Sequence, residues 1–542
     1  MASADGRDDG RQTAHFRQMS RRKKILLAAL AAFAIAAGVL ALWLVNGRTS
    51  PIPAPDPSRE RYNVVVVSID TLRADRLGCY GYLEHPTSPT IDAIAKEGVL
   101  FESYIASAPW TTPSHLSLFT SLYPSSHGVM MSFREMWSGL KFGEKSFHKL
   151  PDSRVTLAEV LAERGLATAA FTGGGPLDPT IGFGQGFDVY ETEMFKLDDG
   201  NVGEMTSWIG DHADEQFFLF WHHFEVHAPY LQPDFIDDVA PLEHASQIAE
   251  GMRQLAGTRL RSVWPGDPAR LRSKQTALLR EHDAFNRDVC EALYTGGVRS
   301  ADTWLGRLVD ALRREGLYDR TMIVVTSDHG EEFGEHDRKL WYNKHGHNLY
   351  EEMIHLPLVI KLPNGYAGGT RVATVAQTVD VMPTILDVLG VTPSKNEMQG
   401  RSLAPLWSRP APAGDGVAFT ESTVSRSEKK SVRSSRYKYI VDIDKQVVAQ
   451  IGRRNLPVGA LSAELYDLKR DPHERHDLLA GKASAKLLAI AADFERQLRR
   501  HLSAQRGEAT ATTLDAAALE KLKALGYIGD APADAGAPDA GR

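Results

Sequence analysis

The chain has 542 residues, of which 43% are hydrophobic and 24% are charged. Such a composition excludes both a wholly disordered chain and a polytopic membrane protein, and it predicts a folded, mostly water-facing protein. The net charge is -7, so no basic domain is left to bind nucleic acid. Two cysteines, Cys79 and Cys290, are too few for a disulfide scaffold. We expect two buried free thiols, with a single bridge as the open alternative.

The first 60 residues have the pattern of a membrane anchor. The uncharged run Ile25 to Val45 would span about 30 Å as a helix, which is the thickness of a bilayer core. Because four basic residues precede it at 21–24, the positive-inside rule predicts that residues 1–24 are cytoplasmic and that the chain from residue 46 is periplasmic or extracellular. We therefore expect a single-pass protein of the cell (inner) membrane. A cleaved signal peptide is the alternative, but the run is longer than such peptides carry. The Pro-rich residues 46–60 predict a stiff linker.

The next elements alternate between strands and helices. The apolar run Asn63 to Ile69 predicts a strand buried on both faces, and it ends at Asp70. A second such strand begins at Met322 and ends in Asp328. The pattern also predicts helices at 90–97, 156–164 and 287–314, and strands at 168–172, 217–222 and 356–361. This alternation predicts a doubly wound, mostly parallel α/β sheet, in which ligands gather beyond the carboxyl ends of the strands.

The sequence also suggests domain boundaries. The main α/β domain is predicted at 61–400, and its charge-rich segment 234–282 is either an inserted helical cap or a solvated surface excursion. Residues 401–510 predict a smaller C-terminal α+β subdomain, with a strand at Val432 to Asp442 and a helix at Ala485 to Leu502. The tail 511–542 ends in a stretch of Ala, Asp, Pro and Gly, which predicts disorder there.

Three short stretches concentrate chemically useful groups, although each has a plain alternative. Asp70 follows a strand and could simply cap a helix. The pair Asp328-His329 combines carboxylate and imidazole donors, which suit a divalent cation, with the imidazole favouring Mn²⁺ or Zn²⁺ over Ca²⁺. The stretch 108–121 includes Thr111-Thr112-Pro113-Ser114-His115 and by itself predicts only the start of a helix.

Together these stretches resemble the sulfatase family of the alkaline phosphatase superfamily. Residues 111–115 are similar to the family signature C/S-x-P-S-R, with Thr111 at the nucleophile position and His115 where Arg is usual. The segment 227–230 is similar to the family's H-x-P-Y, and the segment from Tyr350 to its Y-E-E strand. The similarity extends through 378–384 and 464–472, and so over nearly the whole exported chain.

The resemblance implies an active site with one divalent metal ion, which is Mn, Ca, Zn or Mg. Its implied metal ligands are Asp70, Thr111, Asp328 and His329. Its implied catalytic residues are Thr111, His227, His347, His345 and His115. In the family pattern His227 donates to the leaving oxygen or to a non-bridging oxygen, and a histidine suits this because its pKa lies near working pH. His227, His345 and His347 are implied to bind the substrate anion; for the last two, exposed surface histidines are the alternative.

The sequence departs from the family at the nucleophile. Sulfatases convert the signature Cys or Ser to formylglycine, and Thr111 is not a substrate for that conversion, so no formylglycine is expected. Thr71 replaces the second Asp of the usual Asp-Asp pair, which weakens an all-oxygen Ca²⁺ site. These changes resemble threonine-using relatives such as phosphonate-ester hydrolases and phosphodiesterases. We therefore expect a metal-dependent hydrolase of sulfate or phosphate/phosphonate esters, with phosphorus esters favoured by the threonine.

Several alternatives remain at this stage. The substrate could be a small molecule, a glycan or a lipid headgroup ester, and a phosphoglycerol or phosphoethanolamine transferase would use the same nucleophile. A catalytically inactive binding protein is disfavoured because the metal-ligand residue types are kept together. A two-metal phosphodiesterase, with His227, His345 or His347 holding a second ion, also stays open.

Overall fold

The structure is a computed structural model that describes residues 62–130, 147–239, 242–256, 267–282, 284–336, 345–393, 397–407, 416–422, 427–444, 462–504 and 510–512. All of them belong to the compact unit from Pro57 to Arg542. The predicted cytoplasmic segment, anchor and linker lie outside these residues, as does nearly all of the predicted tail. Within the described ranges, no helix has the length and apolar composition needed to span a bilayer. The membrane topology therefore stays a prediction.

A large, mostly parallel sheet forms the centre of this unit, which confirms the predicted α/β fold class. The described strands are β1 (Asn63–Ile69), β2 (Val99–Phe101), β3 (Tyr104–Ile105), β4 (Phe147–Lys149), β5 (Ala167–Phe171), β6 (Val189–Glu191), β7 (Phe217–His223), β8 (Thr321–Thr326), β9 (His355–Leu356), β10 (Leu358–Lys361), β11 (Thr370–Val372), β12 (Ala376–Gln377), β13 (Ala418–Ser422), β14 (Ser427–Arg433), β15 (Tyr437–Asp444), β16 (Ser462–Asp467) and β17 (Thr510–Thr512). Eight of them form one sheet in the order β11-β2-β10-β8-β1-β7-β5-β6. Within it only β10 runs antiparallel to its neighbours, β2 and β8.

β1 lies in the interior of the sheet because its sequence suits burial on both faces. All seven of its residues are buried, and it pairs in parallel with β7 and β8, with Val66 opposite Phe220 and Val324. Val64 and Val66 enter one hydrophobic core, whereas Val65 and Val67 enter the other. The unbroken valine run therefore holds two cores together, as expected for a strand of a doubly wound sheet.

Helices cover both faces of the sheet. The described α-helices are α1 (Pro89–Glu97), α2 (Thr111–Thr120), α3 (Pro124–His127), α4 (Leu157–Glu163), α5 (Asp199–Asp211), α6 (Leu242–Ala256), α7 (Asp267–Glu281), α8 (Arg287–Arg314), α9 (Glu351–Ile354), α10 (Val381–Leu389), α11 (Ala404–Trp407) and α12 (Ala485–Ala504). The predicted helices at 90–97, 156–164 and 287–314 correspond to α1, α4 and α8. A capping box marks the start of α4, where Thr156 accepts from the Glu159 amide and Glu159 accepts from the Thr156 amide.

The charge-rich segment 234–282 contains α6 and α7. These two helices pack on each other and on the main body, with Ile248 and Met252 of α6 fully buried. Gln275 of α7 is also fully buried, and its side-chain amide donates to the Tyr230 carbonyl. α7 therefore lies directly against the segment that carries His227.

The C-terminal residues form a separate four-stranded antiparallel sheet in the order β13-β14-β15-β16, with α12 packed on it. The prediction of one strand from Val432 to Asp442 is wrong. β14 and β15 are two strands joined by a tight turn in which the Ser434 amide donates to the Tyr437 carbonyl at 2.9 Å. The turn was missed because Ser-Ser-Arg contains no Gly, Pro or Asn, and serine is a weaker turn signal than these residues.

Two sets of contacts tie this sheet to the main domain. Lys438 of β15 is fully buried, with Nζ 3.1 Å from Glu351 Oε1 on α9 and 2.6 Å from Glu474 Oε1. Arg433 of β14 adds a 3.1 Å contact to Glu351 Oε2. Elsewhere, the Ser422 hydroxyl at the end of β13 donates to the Gly346 carbonyl at 2.7 Å.

Both cysteines are free thiols. Cys290 is fully buried in α8, as expected, whereas Cys79 is only half-buried. The single bridge that the sequence left open is therefore not formed in this structure.

Candidate active site

The acids predicted to share a site lie side by side at the carboxyl edge of the sheet. Asp70 follows β1, and Asp328 and His329 follow the neighbouring parallel strand β8. One ligand atom from each of the three side chains lies within 4.8 Å of the others, and all three side chains are buried. Their closeness follows from strand order, because adjacent parallel strands end at the same edge.

Thr111 enters this cluster as the first residue of α2. Trp110 before it is extended, and Pro113 fits within the first turn, so the chain enters the helix with Thr111 facing the acids. Thr111 Oγ1 lies 3.4 Å from Asp70 Oδ2 and 3.2 Å from His329 Nε2. The side chain is fully buried. The hydroxyl is therefore in position both to share a cation and to act as a nucleophile.

The two carboxylates fit a divalent cation. Asp70 Oδ1 and Asp328 Oδ2 are buried and accept no hydrogen bond from the described residues. Burial and then the charge of Asp328 hold the pKa of Asp70 well above its usual range. Burial also acts to raise the pKa of Asp328, but His329, His115 and His222 outweigh it and lower that pKa. A bound cation would satisfy both oxygens and offset the repulsion between them.

His329 is oriented for the same purpose. Its Nδ1 lies 2.8 Å from the Gly330 carbonyl, so Nδ1 carries the proton and Nε2 presents a lone pair to the cluster. Nε2 lies 3.4 Å from Asp328 Oδ2. A residue larger than glycine at position 330 would collide with the Glu352 carbonyl, since an added Cβ would lie 1.8 Å from that oxygen. Gly330 therefore sets the path of the chain after His329.

His115 lies behind Thr111. Its Nδ1 donates to the Thr111 carbonyl at 3.0 Å, and its Nε2 lies 2.8 Å from the Ser68 hydroxyl. Burial lowers the pKa of His115 to about 3, so the ring is neutral at pH 7. With both nitrogens occupied in this way, His115 braces the start of α2 and stands 3.6 Å from Asp328 Oδ2.

His222 also lies in this cluster, although it was not among the residues predicted from the sequence. It is the sixth residue of β7, opposite Ser68 of β1, and its Nε2 lies 3.2 Å from Asp70 Oδ2. Its Nδ1 accepts from the Gly173 amide at 3.4 Å, which leaves the proton on Nε2 to donate to Asp70. The only sequence signal was a histidine at the carboxyl end of a strand, and the neighbouring His223 shared it.

His227 lies on the loop after β7 and is fully buried. Its Nδ1 donates to the Ala228 carbonyl at 2.7 Å, so Nε2 carries the lone pair, and burial lowers its pKa well below the usual range. The half-buried Lys196 stabilises this loop. Its ammonium group donates to the carbonyls of Phe224, Glu225 and His227 at 2.7, 3.1 and 3.1 Å. Burial lowers the pKa of Lys196 to about 8.

The structure separates the other two predicted histidines. The ring of His345 lies between those of His329 and His227, with centroids 4.7 and 5.1 Å away, and its Nδ1 is 3.3 Å from Glu331 Oε1. His347 instead contacts Glu332, with Nε2 2.7 Å from Oε2. His345 is therefore next to the cluster, and His347 is engaged by a neighbouring carboxylate.

The described residues contain three groups able to hold a metal ion by geometry. The first is Asp70, Asp328 and His329; the second is His115, His222 and Asp328; the third is Glu332, Glu335 and Glu352. In this part of the chain none of the three groups contains His227, His345 or His347. The geometry of these histidines thus gives no support to the two-metal alternative.

Known proteins resemble this chain in sequence and fold. Residues 62–391 match the family model described as Sulfatase, and residues 334–504 match that described as N-sulphoglucosamine sulphohydrolase, C-terminal. Arylsulfatase K of Xenopus laevis is 25% identical over 471 residues, covering 80% of this chain and 81% of the relative. The multifunctional alkaline phosphatase superfamily protein PehA of Trinickia caryophylli is 25% identical over 493 residues, covering 79% and 93%. The crystal structure of a phosphonate monoester hydrolase of Agrobacterium radiobacter has a TM-score of 0.55 at 22% identity, covering 82% of this chain and 96% of that one.

Proposed function

Because the chain belongs to the sulfatase family of ester hydrolases, we propose that it cleaves phosphate or phosphonate esters with Thr111 as the nucleophile. The family places the reaction among hydrolyses of sulfuric or phosphoric esters. The choice of phosphorus esters and of Thr111 is our own proposal. We propose a small-molecule, glycan or lipid-headgroup ester as the substrate.

The observation that carries the proposal is the placement of Thr111 Oγ1. It lies 3.4 Å from Asp70 Oδ2 and 3.2 Å from His329 Nε2. In the same buried cluster, one oxygen of each of the two carboxylates accepts no hydrogen bond from the described residues. Asp70, Asp328, His329 and Thr111 would hold one divalent cation. When bound, the cation would lower the pKa of the hydroxyl and offset negative charge on the transferred group. Imidazole among the donors favours Mn²⁺ or Zn²⁺ over Ca²⁺.

The reaction then takes two displacements. In the first, Thr111 Oγ1 gives up its proton and bonds to phosphorus, the bond from phosphorus to the leaving oxygen breaks, and that oxygen takes up a proton. In the second, water gives up a proton and bonds to phosphorus, the bond to Oγ1 breaks, and Oγ1 takes up a proton. A threonine ester has no aldehyde to collapse to, so this second attack by water is required, and it is ordinary chemistry for phosphorus.

The buried histidines supply proton transfer and charge. His227 is neutral in the resting protein, so its Nε2 must take up a proton before it can donate one to the leaving oxygen. An anionic substrate nearby favours that uptake, because opposite charges stabilise the imidazolium. His345, held by Glu331, lies beside His329 and can hydrogen-bond a non-bridging oxygen. These roles rest on proximity to the cluster.

The test compares four aryl esters, namely a sulfate, a phosphate monoester, a phosphodiester and a phosphonate, on the Mn²⁺-loaded full-length chain. We expect turnover of the phosphorus esters, and a loss on the order of 10³-fold or more in Thr111→Ala. Thr111→Ser keeps a hydroxyl and should retain part of the rate. Acid quenching should trap one phosphoryl group on the peptide that contains Thr111. Thr120→Ala is the matched control, because Thr120 ends the same helix and its hydroxyl donates to the Leu116 carbonyl.

Either of two results would contradict the proposal. If Thr111→Ala hydrolyses phosphorus esters at the wild-type rate, Thr111 is not the nucleophile. If only the sulfate ester turns over, the preference for phosphorus is wrong. Product analysis also separates hydrolysis from transfer, since transfer yields a modified lipid or glycan and hydrolysis yields free phosphate or phosphonate.

We also propose that this hydrolysis takes place outside the cytoplasmic membrane, with residues 25–45 as the anchor. Support comes from the length of the uncharged run and the four basic residues before it. In spheroplasts that express the full-length chain, added protease should digest the part after residue 46 and spare a tag before residue 24. Cleavage of the tag with protection of the remainder would reverse the topology.

A further inference from the structure

A row of three histidine side chains extends from the metal cluster towards the 227–230 segment, against which α7 packs. It begins at His329, continues through His345 at 4.7 Å between ring centroids, and reaches His227 after a further 5.1 Å. These three side chains are buried or nearly so. A substrate whose phosphorus sits at Thr111 would extend its leaving group along part of this row.

Arg272 belongs to α7, the helix that packs against the segment following His227. Gln275, one turn further along the helix, is fully buried and donates to the carbonyl of Tyr230, three residues after His227. Residues three apart lie on one face of a helix, so Arg272 is on the face that docks against the 227–230 segment. Burial and then His345 lower the pKa of His227, and the positive charge of Arg272 adds a smaller effect in the same direction.

Hydrogen bonds to Glu331 connect the 227–230 segment to His345. The Tyr230 hydroxyl donates to Glu331 Oε2 at 2.9 Å, and the other oxygen of Glu331 contacts His345 Nδ1 at 3.3 Å. One buried carboxylate thus connects the segment under α7 to the histidine beside the cluster. The position of α7 is therefore coupled to the position of His345.

We propose that Arg272 binds an anionic group on the leaving-group side of the substrate, so that the chain prefers esters that carry a second negative charge. This rests on the proposed function, because it takes an anion bound beside Thr111 as its reference point. A guanidinium presents a planar pair of N–H donors that matches a carboxylate, sulfate or phosphate, and such charge-assisted pairs are stronger than neutral ones. The substrate class is then an acidic ester, such as one formed by a carboxylated sugar or aromatic alcohol.

The test measures binding of two ligands that cannot be cleaved. Phenylphosphonate and 4-carboxyphenylphosphonate are titrated calorimetrically into the full-length chain with Mn²⁺, for the wild type and for Arg272→Met. We expect the wild type to bind the carboxylated ligand about tenfold more tightly, as one charged hydrogen-bonded pair contributes. Arg272→Met should lose this preference while keeping its affinity for phenylphosphonate. Arg272→Lys should keep part of the preference, because the charge stays but the planar pair of donors does not.

Arg253→Met is the matched control. Arg253 belongs to α6 of the same segment, is well exposed and pairs with Glu250 at 3.6 Å. Its loss should leave the preference for the carboxylated ligand intact. The inference is overturned if the wild type binds both ligands equally, if Arg272→Met keeps the preference, or if Arg253→Met loses it to the same degree.

These outcomes are distinct from failure of the proposed function. Binding of the phosphonates needs no turnover, so a preference that depends on Arg272 would stand even if no ester were hydrolysed. Conversely, turnover that depends on Thr111, with no effect of Arg272 on either ligand, would leave the proposed function in place and remove this inference.

Discussion

Lys196 illustrates how a residue outside the metal cluster sets the position of one beside it. Three backbone carbonyls of the 224–227 loop converge on its ammonium group, including that of His227 itself. Without this cation the three carbonyls would lose a shared donor, although the Phe224 carbonyl still accepts from the His227 amide at 3.1 Å, and we expect the loop to relax. His227 would then move relative to Thr111.

We expect Lys196→Met to lower kcat by about 10- to 100-fold, because small misplacements of a proton-transfer group cost that much. The metal affinity should be unchanged, since no ligand of the cluster is altered. Steady-state kinetics and Mn²⁺ titration measure the two quantities. Lys361→Met is the matched control, because burial lowers the pKa of Lys361 to about 8 as well and its Nζ also donates to backbone carbonyls, those of Tyr318 and Thr321. It should reduce stability and leave kcat intact; equal losses of kcat in both variants would count against a positioning role.

For single residues, strand ends and family motifs were sufficient to predict part of the site. Asp70 and Asp328 were predicted to meet because both follow buried parallel strands, and the structure brings them together with Thr111 and His329. Their roles stay predictions. His222 was missed because β7 ends in two histidines, and only the pairing with β1 shows which one faces Asp70. Lys196 was missed because its contacts join segments about 30 residues apart in the chain.

Among the elements, the junction between β15 and α9 is built from buried charge. Lys438 contacts Glu351 and Glu474, and the Glu474 carboxylate also accepts from the Glu351 amide at the first residue of α9. Buried pairs of this kind contribute little net energy when complete, but removal of one partner leaves a desolvated charge. Replacing all the charged side chains of this junction should therefore cost less folding stability than replacing Lys438 alone.

Lys438→Met should reduce the free energy of unfolding by about 3–5 kcal/mol, as measured by denaturant titration. Lys429→Met serves as the control, because Lys429 forms a half-exposed pair with Asp442 on the same sheet and should cost only about 0–1 kcal/mol. The double variant Lys438→Met, Glu474→Gln should recover part of the loss, since it removes one stranded carboxylate. A Lys438→Met variant as stable as wild type would show that the junction is solvated.

The elements also show where local sequence is a poor guide. The valine-rich β1 and the long α8 were predicted closely, because their burial patterns extend over many residues. The β14–β15 hairpin was predicted as one strand, because its turn residues are also acceptable within a strand. The helical segment at 234–282 was recognised by composition, but composition could not show that Gln275 is buried against Tyr230.

For the whole molecule, the cluster should couple metal binding to folding. Burial and the charge of Asp328 disfavour an ionised Asp70 in the metal-free protein. A cation that binds only the folded state stabilises it by about 2.7 kcal/mol at a hundredfold excess over Kd. We expect a chelator to lower the melting temperature and Mn²⁺ to restore it. In Asp328→Asn the effect of Mn²⁺ should be small, because the substitution removes one of the two carboxylates that would bind the ion. An equal response of both proteins to Mn²⁺ would place the ion elsewhere.

The contact from Ser422 to Gly346 has a consequence for how such a chain can change over time. It places the end of β13 under the loop that carries His345, so the far end of the sequence supports a side chain next to the cluster. Substitutions in the C-terminal sheet are then selected for their effect on the active site as well as for their effect on folding. We expect a C-terminal part taken from a distant relative to be accepted only when its strand end still supplies a donor to this loop, so the two parts must diverge in step.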